Sequence, residues 1–364
     1  MTAANWRSHP HAPWAFRNIA SFLPVARIAG TGVDLPIGPP LPPLPPIAVT
    51  GNDGALLDLP ALLRATHADG FLVLDRGRIV FESYAEGMTA TTPHLSFSVT
   101  KALTGLLAEI LIAQGLVDPA TRTGNAVPEL GRSAFAGATL RGLLDMVDGV
   151  GFDETYADPD AQIHRYSKHF WGDGGGGVLA ALQALPVTPP VPGFAYRTPA
   201  TDVAGLVIER MTGTTLDALL AAHIWGPAGA ADAVWVRDTG GRVIASAGLA
   251  CTLRDLARVG AWLLNNDSAS LARARAAIAA GGDRRLFAAA GNETRPGFSY
   301  RSGWWIDHPA QAWNALGVFG QRLHLVPGED IVIARFGSHP AASNAPTDLF
   351  HARLFAAIRA ALRR

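Results

Sequence analysis

The chain contains few residues of several types, and each shortage excludes a class of protein. Cys251 is the single cysteine among 364 residues, so an intrachain disulfide and a cysteine-ligated metal cluster are excluded. The 30 lysines and arginines equal the 30 aspartates and glutamates, and a zero net charge argues against nucleic acid or an anionic membrane as a partner. Apolar runs are too short to span a bilayer, and the first residues lack the apolar stretch of a signal peptide. We therefore expect a cytoplasmic protein without membrane attachment.

Apolar residues, by contrast, are plentiful. They make up 49% of the chain and charged residues 16%, so the chain can bury a large core and is neither disordered nor fibrous. Lys101 and Lys168 are the two lysines among the 30 cations. Because the chain uses arginine wherever a positive charge suffices, a lysine indicates a role that arginine cannot fill.

The predicted elements indicate an α+β protein with one antiparallel sheet assembled from both ends of the chain. Residues 71–87 have the composition of a β-hairpin, and residues 98–114 form an apolar helix that we expect to be buried centrally. The remaining predicted elements are strands at 233–244, 322–326 and 331–336, helices and loops at 118–211, and a terminal helix at 347–362.

This order predicts three parts of the chain. They are an N-terminal arm with a proline-rich connector at 1–50, a sheet domain at 51–115 and 232–364, and a mainly helical insertion at 116–231. Residues 35–47 predict a stiff polyproline connector, with a ligand for a proline-binding domain as the alternative. The glycine-rich residues 172–177 predict a flexible connection, since the lysine and hydroxyl residue of a phosphate-binding loop are absent.

The head of the apolar helix carries a candidate nucleophile. Ser98 precedes Lys101 by three residues, and residues at this spacing lie on the same helix face. A serine hydroxyl is a poor nucleophile until an adjacent base removes its proton. An amine can act as that base once burial lowers its pKa, whereas a guanidinium stays protonated. Ser98 and Lys101 are therefore predicted to be catalytic, although the same four-residue pattern also occurs by chance.

The helix sequence LSFSVTKALTGLLAEILIAQGLVD resembles the nucleophile helix of the β-lactamase-related serine hydrolases, which include class C β-lactamases, DD-peptidases and family VIII carboxylesterases. Three further blocks resemble family landmarks in the expected order: ATLRGLLDMVDGVGF, PGFAYRTPATDVAGLVIERMTG and SAGLACTLRDLARVGAWLL. The resemblance covers roughly residues 60 to 360. It implies a β-lactamase/transpeptidase-like fold, in which an antiparallel sheet is flanked by N- and C-terminal helices and a helical region is inserted.

The resemblance implies that Tyr196 is the third catalytic residue. A phenol near a lysine can exist partly as phenolate, accept the serine proton and return it to the leaving group. Thr198 occupies the third position of the family's Tyr-x-Asn motif, where threonine keeps a hydroxyl and loses the amide. It is therefore a candidate substrate-binding residue. The alternative is that Tyr196 is an aromatic residue of the core.

The family's third motif, Lys-Thr-Gly or His-x-Gly, matches Val318-Phe319-Gly320 here. The resemblance implies that Gly320 allows a close approach to the substrate and that the Gln321 and Ser98 amides form the oxyanion hole. The cation that binds the substrate carboxylate is missing from the motif. Arg322 and His324 follow at the wrong spacing to replace it, which argues against turnover of penicillins or peptidoglycan.

Within the family, NWRSHPHAPWAFRNI and ETYADPDAQI resemble the 6-aminohexanoate-dimer hydrolases. This resemblance implies that Tyr156 contacts the substrate amide, and a loop tyrosine packed on a neighbour is the alternative. Trp304 and Trp305 are candidates for a pocket wall. Because adjacent residues on a strand face opposite ways, at most one of them can line it.

The predicted function is a serine hydrolase, a carboxylesterase or amidase, that cleaves small esters or linear amides through an acyl-enzyme. The alternatives are a β-lactamase or D-amino-acid peptidase, and a catalytically silent binding module of the same fold. The 11 histidines show no metal-ligand spacing, so we expect no metal and no cofactor. The predicted partner is a small ester or amide substrate.

Overall fold

The computed structural model describes residues 1–2, 5–33, 44–51, 54–171, 175–290 and 295–363. Most of the predicted proline-rich connector, 35–43, and the first half of the predicted glycine-rich connection, 172–174, lie outside the described residues. Within these ranges, no helix combines the length and the apolar character needed to cross a bilayer.

A seven-stranded antiparallel sheet forms the centre of the structure. Its strands are β4 (Ala68–Asp75), β5 (Arg78–Tyr84), β9 (Phe298–Arg301), β10 (Trp304–Asp307), β11 (Ala312–Gly317), β12 (Gln321–Val326) and β13 (Ile331–Gly337). They lie in the order β5-β4-β13-β12-β11-β10-β9. Strand β4 lies near the start of the chain and pairs with β13, which lies near its end. The prediction of one sheet built from both chain ends is therefore confirmed.

The other strands form two smaller sheets. A four-stranded sheet contains β1 (Val25–Ile28), β6 (His94–Leu95), β7 (Ala233–Val236) and β8 (Leu249–Cys251), and a hairpin contains β2 (Ala48–Thr50) and β3 (Leu56–Asp58). Strand β1 pairs with β7, and Trp6 and Phe16 are buried in the core. The prediction of a separate N-terminal arm is therefore corrected for residues 5–28. These residues pack into the body of the protein, where their buried aromatic side chains are shielded from water.

The helices cover both faces of the main sheet. They are α1 (Ala12–Arg17), α2 (Leu59–Ala65), α3 (Val99–Ala113), α4 (Thr123–Ala126), α5 (Leu140–Leu144), α6 (Gln162–Lys168), α7 (Gly177–Ala184), α8 (Thr198–Thr212), α9 (Leu216–Leu220), α10 (Leu253–Asn265), α11 (Ala269–Ala280), α12 (Arg284–Ala289) and α13 (Asp348–Leu362). Side chains alternate along β4. Phe71 and Val73 pack with α2 and α13, whereas Leu72 and Leu74 pack in the larger core with α3 and α10.

Helix α3 is the central helix, as predicted. Every residue from 99 to 111 is buried. The turn between β9 and β10 lies directly on this helix, so that a Cβ at Gly105 would lie 1.8 Å from the Ser302 carbonyl oxygen and a Cβ at Gly303 would lie 2.3 Å from the Lys101 carbonyl oxygen. Glycine at both positions is therefore required for the sheet to approach the first turns of α3.

Candidate active site

Ser98 lies at the turn from β6 into α3. Its backbone is helical, with φ −68° and ψ −4°, and its side chain does not cap the helix, so the hydroxyl is available for other contacts. Phe97, the preceding residue, has φ +46°, a conformation that is costly for a bulky side chain and that clusters at functional sites. Phe97 is held there by ring contacts with Phe16 and Phe319. The strained turn points Ser98 into the structure with 7% of its surface exposed.

Lys101 contacts three oxygen atoms at the base of the site. Its Nζ lies 2.9 Å from Ser98 Oγ, 3.1 Å from Thr198 Oγ1 and 3.1 Å from the Ser246 carbonyl oxygen. The residue is 1% exposed. The one-turn spacing of Ser98 and Lys101 therefore brings the hydroxyl and the amine within hydrogen-bonding distance, as the sequence predicted.

The partners of these oxygens decide which way the hydrogen bonds run. The Ser246 carbonyl can only accept, and the Thr198 hydroxyl gives its proton to Glu154, so its oxygen accepts from Lys101. A neutral amine has two N–H groups and one lone pair. In the neutral form that a general base requires, the amine would donate both N–H groups to Thr198 and Ser246, and its lone pair would face the Ser98 hydroxyl. The arrangement suits proton transfer from Ser98 to the amine.

Glu154 is a member of the site that the sequence analysis missed. Its carboxylate accepts from the Thr198 amide, from the Thr198 hydroxyl at 2.6 Å and from the Tyr156 hydroxyl at 3.0 Å. Burial raises the pKa of this carboxyl, and the nearby charge of Lys101 opposes that shift. The sequence signal was only a glutamate two residues before Tyr156, since the contact to Thr198 joins residues 44 positions apart.

Tyr196 is held over the amine by aromatic packing. Lys101 Nζ lies 5.2 Å from the centre of the Tyr196 ring, and the ring stacks on Trp305 at 5.6 Å and 25°. Burial raises the pKa of the phenol, while Lys101 and hydrogen bonding to Ser98 lower it less. The raised pKa favours the neutral phenol over the partly formed phenolate that the sequence analysis considered. Trp304 faces the opposite way and is fully buried against Trp313.

A second buried carboxyl, Asp202, supports the floor of the site and was also missed. It accepts from the Ser246 amide at 2.9 Å, the Ser246 hydroxyl at 2.9 Å and the Tyr166 hydroxyl at 3.0 Å. Burial raises its pKa to about 7, against the opposing influence of Lys101. Asp202 thereby fixes the Ser246 carbonyl that Lys101 contacts.

The site opens into a cavity of about 270 Å³. Its walls come from the N-terminal segment, the turn before α3, the loop and helix around residue 160, the start of α8 and the segment after β11. The lining residues are Arg7, Ser8, Phe97, Ser98, Tyr156, Ile163, His164, Ser167, Phe170, Trp171, Thr198, Ala247, Val318, Phe319, Pro340 and Ala342. Tyr156 and Thr198, which the sequence analysis predicted to bind substrate, both line this cavity.

The roles expected of Gly320 and of the Gln321 amide stay predictions. Val318 and Phe319 line the cavity, whereas Gly320 and Gln321 are not among its lining residues. Gly320 faces Arg335, whose guanidinium donates to its carbonyl oxygen. The Gln321 side chain is fully buried and bonds the Val318 and Gly337 carbonyls. These contacts give Gly320 and Gln321 a structural environment behind the cavity wall.

The two residues considered as replacements for the missing motif cation have other partners. Arg322 is buried and paired with Asp348, and His324 bonds Asn314 at 2.7 Å. Burial and neighbouring arginines lower the pKa of His324 to about 3. Neither side chain lines the cavity.

Known proteins resemble this chain along nearly its whole length. It is 31% identical over 352 residues to the 6-aminohexanoate-dimer hydrolase of Paenarthrobacter ureafaciens. That alignment covers 93% of this chain and 88% of the relative. The structure of a Bacillus anthracis protein described as a 6-aminohexanoate-dimer hydrolase superposes with a TM-score of 0.87 at 25% identity, covering 100% of this chain and 97% of that one.

A more distant structure shares the fold alone. EstCE1, a hydrolase with promiscuous acyltransferase activity, superposes with a TM-score of 0.65 at 16% identity, covering 82% of this chain and 97% of that one. These likenesses confirm the predicted fold and the prediction of a hydrolase. The Beta-lactamase family model matches residues 63–357. With four-fifths of its length matched by that model, the chain belongs to the beta-lactamase family.

Proposed function

We propose that the protein cleaves small esters or linear amides through an acyl-enzyme formed on Ser98. The observation that carries this proposal is the 2.9 Å contact between Lys101 Nζ and Ser98 Oγ. The other two contacts of the amine go to oxygens that accept, so in the neutral form that the mechanism requires the amine directs its lone pair at the nucleophile. The names of the relatives, 6-aminohexanoate-dimer hydrolases, support a linear amide as one substrate class.

In the first half of the reaction, Ser98 Oγ attacks the substrate carbonyl and its proton passes to Lys101 Nζ. A tetrahedral intermediate forms. The bond to the leaving group then breaks as the Tyr196 phenol gives that group its proton, and the proton held on Lys101 restores the phenol. Tyr196 suits this role because its raised pKa keeps the proton in place at neutral pH.

In the second half, water adds to the acyl carbon and gives a proton to Lys101. The carbon–Oγ bond then breaks, Ser98 recovers its proton and the acid leaves. The balance is one water consumed for one ester or amide bond cleaved, with no oxidant or reductant required.

The proposed oxyanion hole combines the amides of Ser98 and Val318 and replaces the expected pairing with Gln321. Val318 lines the cavity beside Ser98. Among the backbone hydrogen bonds outside helices and strands in the described part of the chain, neither amide is a donor. Two N–H groups at the edge of one cavity are what a developing oxyanion requires. Phe319 has a left-handed backbone with φ +62° and packs on Phe97. This contact joins the turn that contains Val318 to the turn that contains Ser98.

A comparison of p-nitrophenyl acetate with nitrocefin tests this function. We expect ester turnover by the wild type and by Ser268→Ala, which removes an exposed serine hydroxyl, and none above background by Ser98→Ala. Nitrocefin turnover comparable to ester turnover would favour a β-lactamase. Absence of turnover of both compounds would favour a silent binding module, and full activity of Ser98→Ala would remove the assigned nucleophile.

A further inference from the structure

Arg197 lies between two residues of the candidate active site and faces away from it. Tyr196 and Thr198 both turn toward Lys101, whose Nζ lies 5.2 Å from the Tyr196 ring centre and 3.1 Å from Thr198 Oγ1. The backbone of Arg197 is extended, with φ −152° and ψ 123°, and successive side chains of an extended segment point in opposite directions. The Arg197 side chain is therefore directed into the core, where it is fully buried.

The guanidinium of Arg197 joins the segment before α8 to a turn that follows α5. It donates to three backbone carbonyl oxygens, those of Ala195 at 3.0 Å, Met146 at 2.9 Å and Val150. Met146 has a left-handed backbone with φ +55°, and a residue with a side chain keeps this costly conformation only where surrounding contacts hold it. The three hydrogen bonds therefore fix the two segments relative to each other.

A buried carboxylate balances the charge of Arg197. Asp148 Oδ2 lies 3.4 Å from Arg197 Nε, and the two side chains expose 0% and 1% of their surfaces. Asp148 Oδ1 accepts from the Val150 amide at 3.1 Å, so the carboxylate is held by its own turn. An ion pair buried this deeply adds little net stability relative to apolar residues of similar size. What it adds here is a fixed set of hydrogen bonds beside Tyr196.

Met146 also holds both chain neighbours of Tyr196. The Ala195 amide donates to the Met146 carbonyl oxygen at 3.0 Å, and the Arg197 amide contacts Met146 Sδ at 3.3 Å. The Tyr196 ring stacks on Trp305, which limits its tilt. Because the phenol oxygen is the atom of this side chain farthest from the backbone, a small rotation of the segment displaces it most.

From these contacts we infer that Arg197 is a positioning residue, which sets the Tyr196 phenol against Lys101 and the leaving group. The inference rests on the proposed function and extends it to a residue that does not line the cavity. Arg197 acts on one step, the transfer of the phenol proton to the leaving group. The guanidinium itself exchanges no proton, because it stays protonated at any pH the reaction uses.

Two esters of butyric acid test the inference, because their leaving groups need the phenol proton to different degrees. Phenyl butyrate releases phenolate, which is a stronger base and a worse leaving group than the p-nitrophenolate released by p-nitrophenyl butyrate. We expect Arg197→Met to lower kcat/KM about tenfold for the phenyl ester, as on loss of buried hydrogen bonds, and less than about threefold for the p-nitrophenyl ester. Arg197→Lys, which keeps the charge with fewer donors, should recover part of the loss.

A double-mutant cycle assigns the effect to the phenol. If Arg197 acts through Tyr196, adding Arg197→Met to Tyr196→Phe should lower kcat/KM for the phenyl ester less than about twofold further, because the two substitutions disturb the same interaction. Arg322→Met is the matched control, since Arg322 is also buried and paired with an aspartate. It should leave the ratio of the two ester rates as in the wild type.

Equal losses for the two esters in Arg197→Met, or additive losses in the cycle, would overturn the inference, because they would indicate a purely structural role. An unchanged rate for the phenyl ester would overturn it as well. If Arg197→Met does not fold, Asp148→Asn decides by the same ratio, since it keeps Arg197 and removes the charge beside it. A loss confined to the phenyl ester supports the inference, and an equal or absent loss overturns it.

Crystal structures of the wild type and Arg197→Met separate this failure from failure of the proposed function, since they require no turnover. We expect the Tyr196 phenol to lie more than about 1 Å farther from Lys101 in the variant, a displacement large enough to impair catalysis. If neither ester is cleaved but the phenol moves, the positioning role stands and the function proposed for Ser98 falls. If the esters are cleaved and the phenol keeps its place, the positioning role falls.

Discussion

The hydroxyl of Thr198 donates to Glu154 Oε1 at 2.6 Å. This contact determines the role of the hydroxyl toward Lys101, since an oxygen that has given its proton away can only accept. Glu154 therefore acts on the nucleophile through Thr198 and Lys101 without touching either Ser98 or the substrate. It is a positioning residue, and its effect should appear in the chemical step.

Glu154→Gln tests that role. The carboxylate accepts three hydrogen bonds, from the Thr198 amide, the Thr198 hydroxyl and the Tyr156 hydroxyl, and an amide can accept fewer and adds donors of its own. We expect kcat to fall about tenfold to a hundredfold, as for loss of a buried hydrogen bond, with KM little changed. Glu129→Gln, at a surface pair with Arg210, is the control and should keep wild-type kcat. An unchanged kcat in Glu154→Gln would contradict the positioning role.

Tyr196→Phe tests the proton donor. Burial raises the pKa of this phenol, so its proton is present at neutral pH and available to the leaving group. Its removal should lower kcat about a hundredfold to ten-thousandfold, the usual contribution of general acid–base catalysis. Tyr300→Phe is the matched control, because the buried Tyr300 hydroxyl has no hydrogen-bond partner in the described part of the chain. Similar kinetics for the two variants would remove Tyr196 from the mechanism.

Val318→Pro tests the reassigned oxyanion hole by deleting a single N–H group. Gly317, the preceding residue, has φ −125° and ψ 150°, an extended conformation that tolerates a following proline. We expect kcat to fall about a hundredfold to a thousandfold, as on loss of one oxyanion donor. Val318→Ala, which keeps the amide, should be affected far less. If Gln321→Pro lowered kcat while Val318→Pro did not, the original assignment to Gln321 would be restored.

The buried Asp202 predicts a specific dependence of stability on pH. Its pKa is raised to about 7 in the folded protein from an unfolded value of about 3.9. The folded state therefore holds this proton more tightly, so the stabilisation is complete below pH ~4 and is lost as pH rises through about 7. At about 1.4 kcal/mol for each tenfold change in proton affinity, the free energy of unfolding should fall by roughly 2–4 kcal/mol from this group.

Comparison with Asp202→Asn isolates that contribution. The variant cannot ionise here, so its stability relative to the wild type should improve steadily from pH 4 to pH 8 when both are measured by thermal unfolding. Asp267→Asn, at a position with an exposed side chain, should follow the wild-type profile. A constant difference between Asp202→Asn and the wild type over this range would show that Asp202 does not titrate there.

The local elements of the fold could be predicted because their signals lie within a few residues. Thr139 and Thr252 accept from the backbone amides of Gly142 and Asp255, as expected of helix caps, and the hairpin of β4 and β5 forms where β-forming runs flank a tight turn. The one-turn spacing of Ser98 and Lys101 likewise predicted their contact. In each case the geometry follows from the regular backbone geometry of a single helix, strand or turn.

Contacts across long stretches of chain could not be predicted in the same way. Arg7 lines the cavity together with Trp171, on which Trp6 packs, and Glu154 contacts Thr198 across 44 positions of the sequence. The proposed shift of the oxyanion hole from Gln321 to Val318 depends on the left-handed turn at Phe319, which motif order does not reveal. Such contacts depend on tertiary packing, and no fixed spacing of residues in the sequence indicates them.

The central claim is that the Ser98 hydroxyl is activated by the amine of Lys101. Its most direct test is intact-mass spectrometry after brief exposure to a fluorophosphonate, with peptide mapping of the adduct, for the wild type, Lys101→Arg and Ser268→Ala. The account predicts one adduct on Ser98 in the wild type and in Ser268→Ala, and labelling slowed at least a hundredfold in Lys101→Arg, because a guanidinium cannot accept the proton. Equally fast labelling of Lys101→Arg, or an adduct on another residue, would contradict it.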